Sequence, residues 1–498
     1  MTAEGQGLGK SSQGLAVFVK DTLPGDQVVV ELTKVKKNYA FGRVVEVIKA
    51  SPHRIEGYCQ YKDSCGGCVF ADYDYDAQLK LKEKQIKDKL IRIGDLENPK
   101  LLPIKGMENP FRYRNKASMA ISTGGIITRK GGIVENLGDV SIGFYRTKSH
   151  DVVDCYDCLI QSEPAMAAVD AVRRFMEEDN ITAYDPKWEK GLMRHVVVKT
   201  SFSTGQVMVI LVINGKGIPN HEKLVDMIDD AIFNLEPNKD GTVFQLASVV
   251  LNVNKHKTSE ILGDECITIA GKPTILEEVG DLKFEISPLS FYQVNPIQMK
   301  VLYDKAMEYA ALTGTETVLD LYCGVGTIGL FAAKEMEKAY ALSHGSLDYE
   351  KLGKVIGIES VKGAVVDANR NAVINKIVGA RYVFGKAEEE LPKMLGSEVE
   401  LSDETENNQE DPNNIKIDHA DVVILDPPRA GCDERLLDTV VKIGPDRIVY
   451  VSCDPGTLAR DIKYLGNNGY EFVEGMPVDM FPWTGHVETC VLLSHKNS

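Results

Sequence analysis

Long apolar segments are missing from this sequence of 498 residues. No run approaches the roughly 18 consecutive apolar residues that a membrane-spanning helix needs. The first residues, MTAEGQGLGKSSQG, also lack the apolar stretch of a secretory signal. We therefore expect a cytosolic protein without a membrane partner, and we expect it to act as a monomer. The length exceeds what one hydrophobic core usually serves, which predicts several domains.

Acidic residues outnumber basic ones, and the formal net charge is −16. That balance argues at first against a nucleic-acid partner, because phosphate contacts need Lys and Arg. The segment from Glu398 to Asp418 alone contributes −7, however, and its polar composition predicts a solvated or disordered loop with no catalytic part. Basic residues gather elsewhere and permit RNA binding without proving it: Lys34, Lys36, Lys37, Arg43, Arg112, Arg114, Lys116, Arg129 and Lys130.

Disulfides are disfavoured for the ten cysteines if the chain is cytosolic, so clustered cysteines indicate metal ligation or catalysis. Cys59, Cys65 and Cys68 form a tight group in GYCQYKDSCGGCVF. Cys155 or Cys158, both in VVDCYDCLIQS, is a candidate fourth ligand. Such a set fits either Zn²⁺ or an iron–sulfur cluster, and spacing does not choose between them.

The chain divides into three segments by pattern. Residues 1–57 hold short apolar strands, which predict a small OB-like β-barrel. Residues 58–285 mix helical and strand patterns and predict a central α/β domain. In residues 286–498 strands alternate with helices, which predicts an open parallel sheet with helices on both faces. Ligands of such sheets bind at the carboxyl ends of the strands.

Two of these strand ends favour a nucleotide-like ligand. The turn DLYCGVGTIG, with Gly324 in its first half, follows a predicted strand and opens a predicted helix, where free backbone N–H groups and close approach are available. The next strand ends in Glu359, placed to accept hydrogen bonds from ribose hydroxyls. Both features fit NAD as well as S-adenosylmethionine. The third strand end, the stiff turn Asp426-Pro427-Pro428-Arg429, resembles methyltransferases that act on nucleobases.

The fourth strand end carries a cysteine, in YVSCDPGTLARD. Methylation of an exocyclic nitrogen needs no protein nucleophile, whereas carbon 5 of a pyrimidine reacts only after a nucleophile adds at carbon 6. The thiolate of Cys453 suits that step because it adds readily and can leave again. A base must then remove the carbon 5 proton, and Glu488, at the start of the last apolar strand, is the candidate.

Four motifs together resemble the RNA uridine-5-methyltransferase family: DLYCGVGTIGLFAA, ILDPPRAGC, YVSCDPGTLARD and FPWTGHVETCVLL. The N-terminal strands are similar to a TRAM domain, an RNA-binding OB-like barrel. The resemblance covers essentially the whole chain. It implies a Rossmann-like, S-adenosylmethionine-dependent methyltransferase domain at the C-terminus, with Cys453 as nucleophile and Glu488 as base. Cofactor contacts are implied for Gln293, Tyr322, Gly324, Glu359 and Asp426.

The same resemblance implies a [4Fe-4S] cluster on Cys59, Cys65, Cys68 and Cys158, because the cysteine before LIQ matches the family's fourth ligand. It implies 23S rRNA as substrate, since smaller tRNA-directed members commonly lack both a TRAM domain and a cysteine cluster. A tRNA enzyme is the alternative within the class. An inert RNA-binding iron–sulfur protein is the alternative outside it. Lys386 departs from the pattern, standing where an Asp or Asn commonly contacts the adenosine.

Overall fold

The computed structural model describes residues 1–129, 132–257, 260–396 and 415–496. Most of the acidic segment, residues 398–414, therefore lies outside the described residues. Within the described parts, no helix is long and apolar enough to cross a bilayer.

A four-stranded sheet forms the N-terminal module, in the order β1-β2-β4-β3. Its strands are β1 Gly7–Lys10, β2 Ala16–Val19, β3 Gln27–Val35 and β4 Tyr39–Lys49. The turn after β2 is fixed by Asp26, whose carboxylate accepts hydrogen bonds from the Leu23 and Ser51 backbone N–H groups at 2.7 Å each. Only a small apolar core, around Val17 and Val19, lies beneath the sheet.

The middle of the chain builds a seven-stranded sheet in the order β11-β10-β9-β8-β5-β6-β7. These strands are β5 Lys116–Arg129, β6 Gly132–Tyr145, β7 Val152–Asp154, β8 Met193–Thr200, β9 Gln206–Ile213, β10 Gln245–Val253 and β11 Glu265–Gly271. The helices of this part are α1 Tyr75–Arg92, α2 Glu163–Glu178 and α3 His221–Phe233. A hairpin of β12 Ile275–Val279 and β13 Leu282–Ile286 follows.

Helix α1 belongs to the middle of the sequence but packs against the C-terminal part. Asp74 caps its first turn, and its apolar repeat buries Ile86 and Leu90 in the same core as strands of the last sheet. Burying such side chains stabilises the contact by about 2 kcal/mol each. The predicted helix is thus present, and it joins the middle segment to the C-terminal sheet.

The C-terminal part is a second seven-stranded sheet, in the order β16-β15-β14-β17-β18-β20-β19. Its strands are β14 Thr317–Leu321, β15 Lys354–Glu359, β16 Ala380–Phe384, β17 Val422–Leu425, β18 Arg447–Ser452, β19 Tyr470–Val478 and β20 Glu488–His495. Its helices are α4 Pro296–Ala310, α5 Thr327–His344, α6 Lys362–Ile374, α7 Ala387–Met394, α8 Glu434–Ile443 and α9 Pro455–Asn467.

Five of these strands, β14 to β18, run parallel as the alternating pattern predicts. The strand β20 instead runs antiparallel to β18, because a loop without a helix connects β19 to β20. The strand order reverses between β14 and β17, which makes their carboxyl ends the expected ligand crevice.

Candidate active site

The glycine turn after β14 is shaped around a buried tyrosine. Gly326 has φ +77°, and a Cβ there would lie 2.6 Å from the ring of Tyr382. The Tyr382 hydroxyl donates to the Gly326 carbonyl at 3.1 Å. Tyr322, a predicted cofactor contact, lies in the same turn with φ +67°. The sequence pattern identified the glycines but gave no sign that Tyr382, from β16, supports the turn.

Two carboxylates accept hydrogen bonds from backbone N–H groups of the glycine turn. Glu359, at the end of β15, accepts from the backbone N–H of Gly324 at 3.0 Å and of Val361 at 2.8 Å. The buried Asp320 accepts from the Gly329 N–H at 2.8 Å, and burial raises its pKa to about 7. Glu359 therefore lies at the end of β15 beside the turn, whereas the contribution of Asp320 went unrecognised in the sequence.

Gln293 is carried to the crevice by a loop that the central sheet supports. Asn115 donates from its side chain to the Gln293 carbonyl at 3.0 Å and from its backbone to the Val294 carbonyl at 2.9 Å. The buried ammonium of Lys199 donates to the carbonyls of Ser287 and Ser290 at 2.7 and 2.8 Å. The central sheet thus holds in place a loop of the predicted cofactor site.

Lys386 caps the start of α7 and extends into solvent. Its ammonium lies 3.2 Å from the Glu389 carboxylate. Among the described residues, its side chain forms no hydrogen bond or ion pair with the glycine turn.

Cys453 follows β18 directly, and its half-buried side chain lies at the junction with α9. The Asp454 carboxylate caps that helix, accepting from the N–H groups of Gly456 at 2.7 Å and Thr457 at 3.1 Å. Pro455 occupies the first turn, where its missing N–H is not needed. Asp454 and Pro455 thus form a helix cap that fixes the backbone beside the thiol.

The antiparallel pairing of β18 and β20 brings Glu488 to the same place. Ser452, the last residue of β18, pairs with Thr489, so the residues that come next in this register are Cys453 and Glu488. Glu488 is only 4% exposed. Burial, reinforced by the nearby Asp426 carboxylate, raises its pKa to about 8, while the Arg429 guanidinium acts in the opposite direction.

Asp426 and Arg429 complete the group at the ends of β17 and β18. Burial raises the pKa of Asp426 to about 7. Burial also raises the pKa of the Cys453 thiol to about 11, helped by Glu488 and Asp426 and opposed by Arg429. The structure thus gathers one thiol, two carboxyls and one guanidinium, and a protonated thiol is the resting state at neutral pH.

The loop that carries Arg429 is held from behind by α9. Asp461 accepts from the Cys432 N–H at 2.9 Å and from the Tyr450 hydroxyl at 2.7 Å. Arg460 donates to the carbonyls of Ala430 and Cys432 at 3.1 and 3.2 Å. Both residues stand in the motif TLARD that follows the cysteine, where sequence reasoning had assigned them no role.

The clustered cysteines surround a cavity of about 220 Å³ away from the strand ends. Its lining includes Cys59, Cys65, Cys68, Cys155 and Cys158. Within the described residues, no group of three His, Cys, Asp or Glu side chains converges on a single ion position. The thiols therefore line a common cavity and do not meet at a single point.

The two candidates for the fourth thiol differ in character. Cys155 is buried and its thiol pKa is raised, first by its hydrogen bond with Cys158 and then by burial. The pKa of Cys158 is lowered to about 7 because it accepts that hydrogen bond and those of the Ile160 and Gln161 N–H groups.

The wall of the cavity also fits an anionic group. The guanidinium of Arg114, predicted as a possible RNA contact, lines it, and its Nε has no hydrogen-bond partner among the described residues. The Gln161 Oε1, also in the lining, is likewise buried and unpartnered there. Cysteine thiolates hold iron–sulfur clusters and the cluster sulfurs accept hydrogen bonds, so these thiols and the unpaired Arg114 N–H fit such a cluster.

A parallel sheet with a glycine turn and acidic strand ends at its switch point defines a class of α/β proteins that bind a nucleotide-like cofactor, to which the S-adenosylmethionine-dependent methyltransferases belong. Comparison with known proteins agrees with this class. Residues 274–496 match the family model tRNA (Uracil-5-)-methyltransferase, and residues 2–45 match the TRAM domain.

Relatives match the chain over nearly its whole length. A protein of Caldanaerobacter subterraneus named as an uncharacterized RNA methyltransferase is 44% identical over 99% of this chain and 96% of its own. One of Halalkalibacterium halodurans, named likewise, is 40% identical over 100% and 96%. The crystal structure of Pyrococcus abyssi tRNA (uracil-54, C5)-methyltransferase with S-adenosyl-L-homocysteine has a TM-score of 0.68 at 27% identity, covering 98% of this chain and 99% of that chain. The chain belongs to the RNA uracil-5-methyltransferase family and is an S-adenosylmethionine-dependent RNA methyltransferase with a TRAM domain.

Proposed function

We propose that the protein forms 5-methyluridine in 23S rRNA through a covalent bond between Cys453 and carbon 6 of the target uracil. The observation that carries the proposal is the meeting of Cys453, Glu488 and Asp426 at adjoining strand ends beside the glycine turn. A methyltransferase acting on an exocyclic nitrogen has no use for a thiol at this position.

The first chemical step is addition of the Cys453 sulfur to carbon 6. The Cys453 thiol gives its proton to solvent as the carbon–sulfur bond forms, and the electron pair of the carbon 5–carbon 6 double bond moves onto carbon 5 and oxygen 4. Arg429 favours this step, because its positive charge opposes the burial and the carboxylates that raise the Cys453 pKa. Carbon 5 then takes the methyl group of S-adenosylmethionine, leaving S-adenosylhomocysteine.

Release requires removal of the carbon 5 proton. In its ionised form the Glu488 carboxylate takes that proton, the electron pair re-forms the double bond, and the Cys453 sulfur leaves. A carboxyl with pKa about 8 is a stronger base than an ordinary glutamate, and such a value lies near the pH at which it has to work. Burial of Glu488 thus fits it to the elimination step.

We assign the methyl donor to the crevice formed by the glycine turn, Gln293, Tyr322, Glu359 and Asp426. Gly324, Gly326 and the α5 N-terminus leave backbone accessible there. Asp426 lies at the end of β17, directly beside β14, so it separates the donor crevice from the uracil position next to Cys453. We also propose that the domains meet near residues 57 and 285.

For the cysteine cavity we propose a [4Fe-4S] cluster held by Cys59, Cys65, Cys68 and Cys158. Cys158 is preferred over Cys155 because the cysteine before Leu159-Ile160-Gln161 matches the family's fourth ligand. When bound, the cluster would cross-link an irregular segment of the chain, a structural or RNA-contacting duty, since methyl transfer moves no electrons. Iron content of the protein purified without oxygen tests this assignment.

A tRNA substrate is the second candidate. The solved structure from Pyrococcus abyssi that covers 98% of this chain is, by its title, a tRNA enzyme acting on uracil 54, so a chain of this size is not by itself a mark of an rRNA enzyme. Mapping 5-methyluridine in rRNA and tRNA from a deletion strain decides between the two. Loss of methylation from tRNA alone would show that tRNA, and not 23S rRNA, is the substrate.

The covalent step is tested by RNA carrying 5-fluorouridine, in which fluorine blocks the final proton removal. With S-adenosylmethionine present, the wild-type protein should form an adduct that survives denaturing electrophoresis. Cys453→Ala should form none and should lose methylation by about a thousandfold or more. Cys266→Ala, a half-buried cysteine of the central sheet, is the matched control and should behave as wild type. An adduct that persists in Cys453→Ala would overturn the assignment.

A further inference from the structure

The loop that delivers Glu488 has an unusual conformation. Residues 479–487, here called the base loop, connect β19 to β20. Trp483, in the middle of this loop, has φ +69°, a left-handed backbone that a bulky residue adopts only when its surroundings enforce it. Its indole is 4% exposed. Contacts outside the C-terminal sheet must therefore determine the path of the base loop.

Those contacts come from an aromatic group in the preceding segments. The ring of Trp483 lies 4.5 Å from that of Tyr58, 5.1 Å from Phe111 and 5.7 Å from Tyr75, measured between centroids. Its indole Nε1 donates to the Pro110 carbonyl at 2.9 Å. A buried tryptophan with its N–H satisfied is a strong anchor.

The backbone of the base loop is bonded to the same segments. The Phe70 N–H donates to the Trp483 carbonyl at 3.0 Å, and the Trp483 N–H donates to the Gln78 side chain at 3.2 Å. The Tyr113 hydroxyl donates to the Pro482 carbonyl at 3.1 Å. Every one of these partners lies before residue 114, more than 350 residues earlier in the chain than the loop they hold.

The aromatic group packs beside the cysteine cavity. Tyr58 immediately precedes Cys59, and Cys68 and Cys158 pack in the same apolar cluster as Trp483. Thr484, the neighbour of Trp483, lines the cavity itself. The cavity and the base loop thus share side chains.

The segment that carries Tyr58 and the first three cysteines is irregular. Residues 51–74 contain neither helix nor strand, only isolated bridges such as Cys65 with Arg146. An irregular segment whose thiols face a cavity depends on the group it binds for its order. The order of the base loop then depends on the same bound group, because the loop is hydrogen-bonded to Phe70 and packed against the ring of Tyr58.

We propose that Trp483 is a positioning residue that couples the cysteine cavity to Glu488, so that loading of the cluster orders the base loop and supports proton removal from carbon 5. The inference rests on the proposed function, since Glu488 is the base only in that reaction. It assigns the cluster to the elimination step, not to the attack of Cys453.

Hydrogen–deuterium exchange on the full chain tests the coupling without RNA. We compare the protein with its cluster and after anaerobic removal of the cluster by oxidant and chelator. The amides of residues 480–487 should exchange at least about tenfold faster without the cluster, whereas those of β14 should not change. Equal exchange in the base loop in both states would overturn the coupling, as would failure of the chain to take up iron and sulfide.

Variants at Trp483 test whether this residue supports proton removal from carbon 5. With ordinary uridine RNA, Trp483→Ala should accumulate the methylated covalent adduct because release slows, and Trp483→Phe should restore turnover. Trp188→Ala, the other and largely exposed tryptophan, is the matched control. Wild-type release by cluster-loaded Trp483→Ala would overturn the proposal. Should no uridine RNA be methylated by the wild type, the proposed function fails, and the exchange experiment still judges the coupling.

Discussion

The molecule holds two groups of cysteine chemistry that are built in opposite ways. Cys453 stands alone at the end of β18, among ionisable groups carried by neighbouring strand ends. Among the clustered cysteines, Cys59, Cys65 and Cys68 line their cavity from an irregular segment, although Phe144 of β6 and Val153 of β7 also line it. A parallel sheet positions a reacting group by itself, because strand ends are rigid. A site made of loops depends on its occupant for order.

Burial acts on both groups and raises the pKa of most of these thiols, that of Cys68 to about 12 and that of Cys453 to about 11. The surroundings then separate their roles. Cys453 lies beside Arg429, which favours the thiolate when a substrate arrives. Cys68 lies beside other thiols, which together suit a metal group.

We expect the largest effect from removing the base of the strand-end site, Glu488. Glu488→Gln should retain addition and methyl transfer but slow release by about a hundredfold or more, because the carbon 5 proton has no acceptor. The measurement is accumulation of methylated RNA bound to Cys453 on a denaturing gel. Glu471→Gln, an exposed residue of the adjacent β19, is the control. Normal turnover by Glu488→Gln would remove this residue from the role of base.

The cavity should respond to loss of one ligand with loss of the whole group. Serine in place of Cys59, Cys65, Cys68 or Cys158 should abolish iron binding and lower the midpoint of thermal unfolding by several degrees, because a bound cluster stabilises only the folded chain. Iron analysis and calorimetry measure both effects. Cys155→Ser should retain its iron, and loss of iron in that variant would exchange the two candidates for the fourth ligand.

The pH profile sharpens the electrostatic account of the strand-end site. The reacting forms are the thiolate of Cys453 and the carboxylate of Glu488, and both pKa values are raised, so activity should increase as pH rises through 7 and 8. Arg429→Ala should move the profile to still higher pH, since the guanidinium lowers both values. A rise of one unit in either pKa lowers the fraction of the reacting form, and with it the rate at pH 7, by about tenfold. Arg429→Lys should shift it less, and an unshifted profile in Arg429→Ala would contradict the account.

The smallest effect concerns two glycines of one turn. Ala at Gly324 meets no atom within 4 Å and should cost only the left-handed backbone strain, about 1 kcal/mol of unfolding free energy. Ala at Gly326 would also overlap Tyr382 and should cost about 2 kcal/mol more. Denaturant unfolding measures both. Equal losses would show that Tyr382 yields easily and does not shape the turn.

The sequence by itself determined the family, the alternation of strands and helices, and the residues that follow each strand. Local pattern suffices there, because a parallel sheet brings the carboxyl ends of its strands to one edge whatever the details. Cys453, Asp426 and Glu359 were therefore recognisable as neighbours. Glu488 was recognisable by its motif, at the start of the last apolar strand.

Only the tertiary structure decided which distant segments hold these groups. The antiparallel course of β20, and with it the register that sets Glu488 beside Cys453, depends on a loop whose contacts lie hundreds of residues away. Tyr382 beneath the glycine turn and Asn115 behind Gln293 are equally long-range. Such contacts follow from packing of side chains between segments, and no periodicity along the chain encodes which segments will meet.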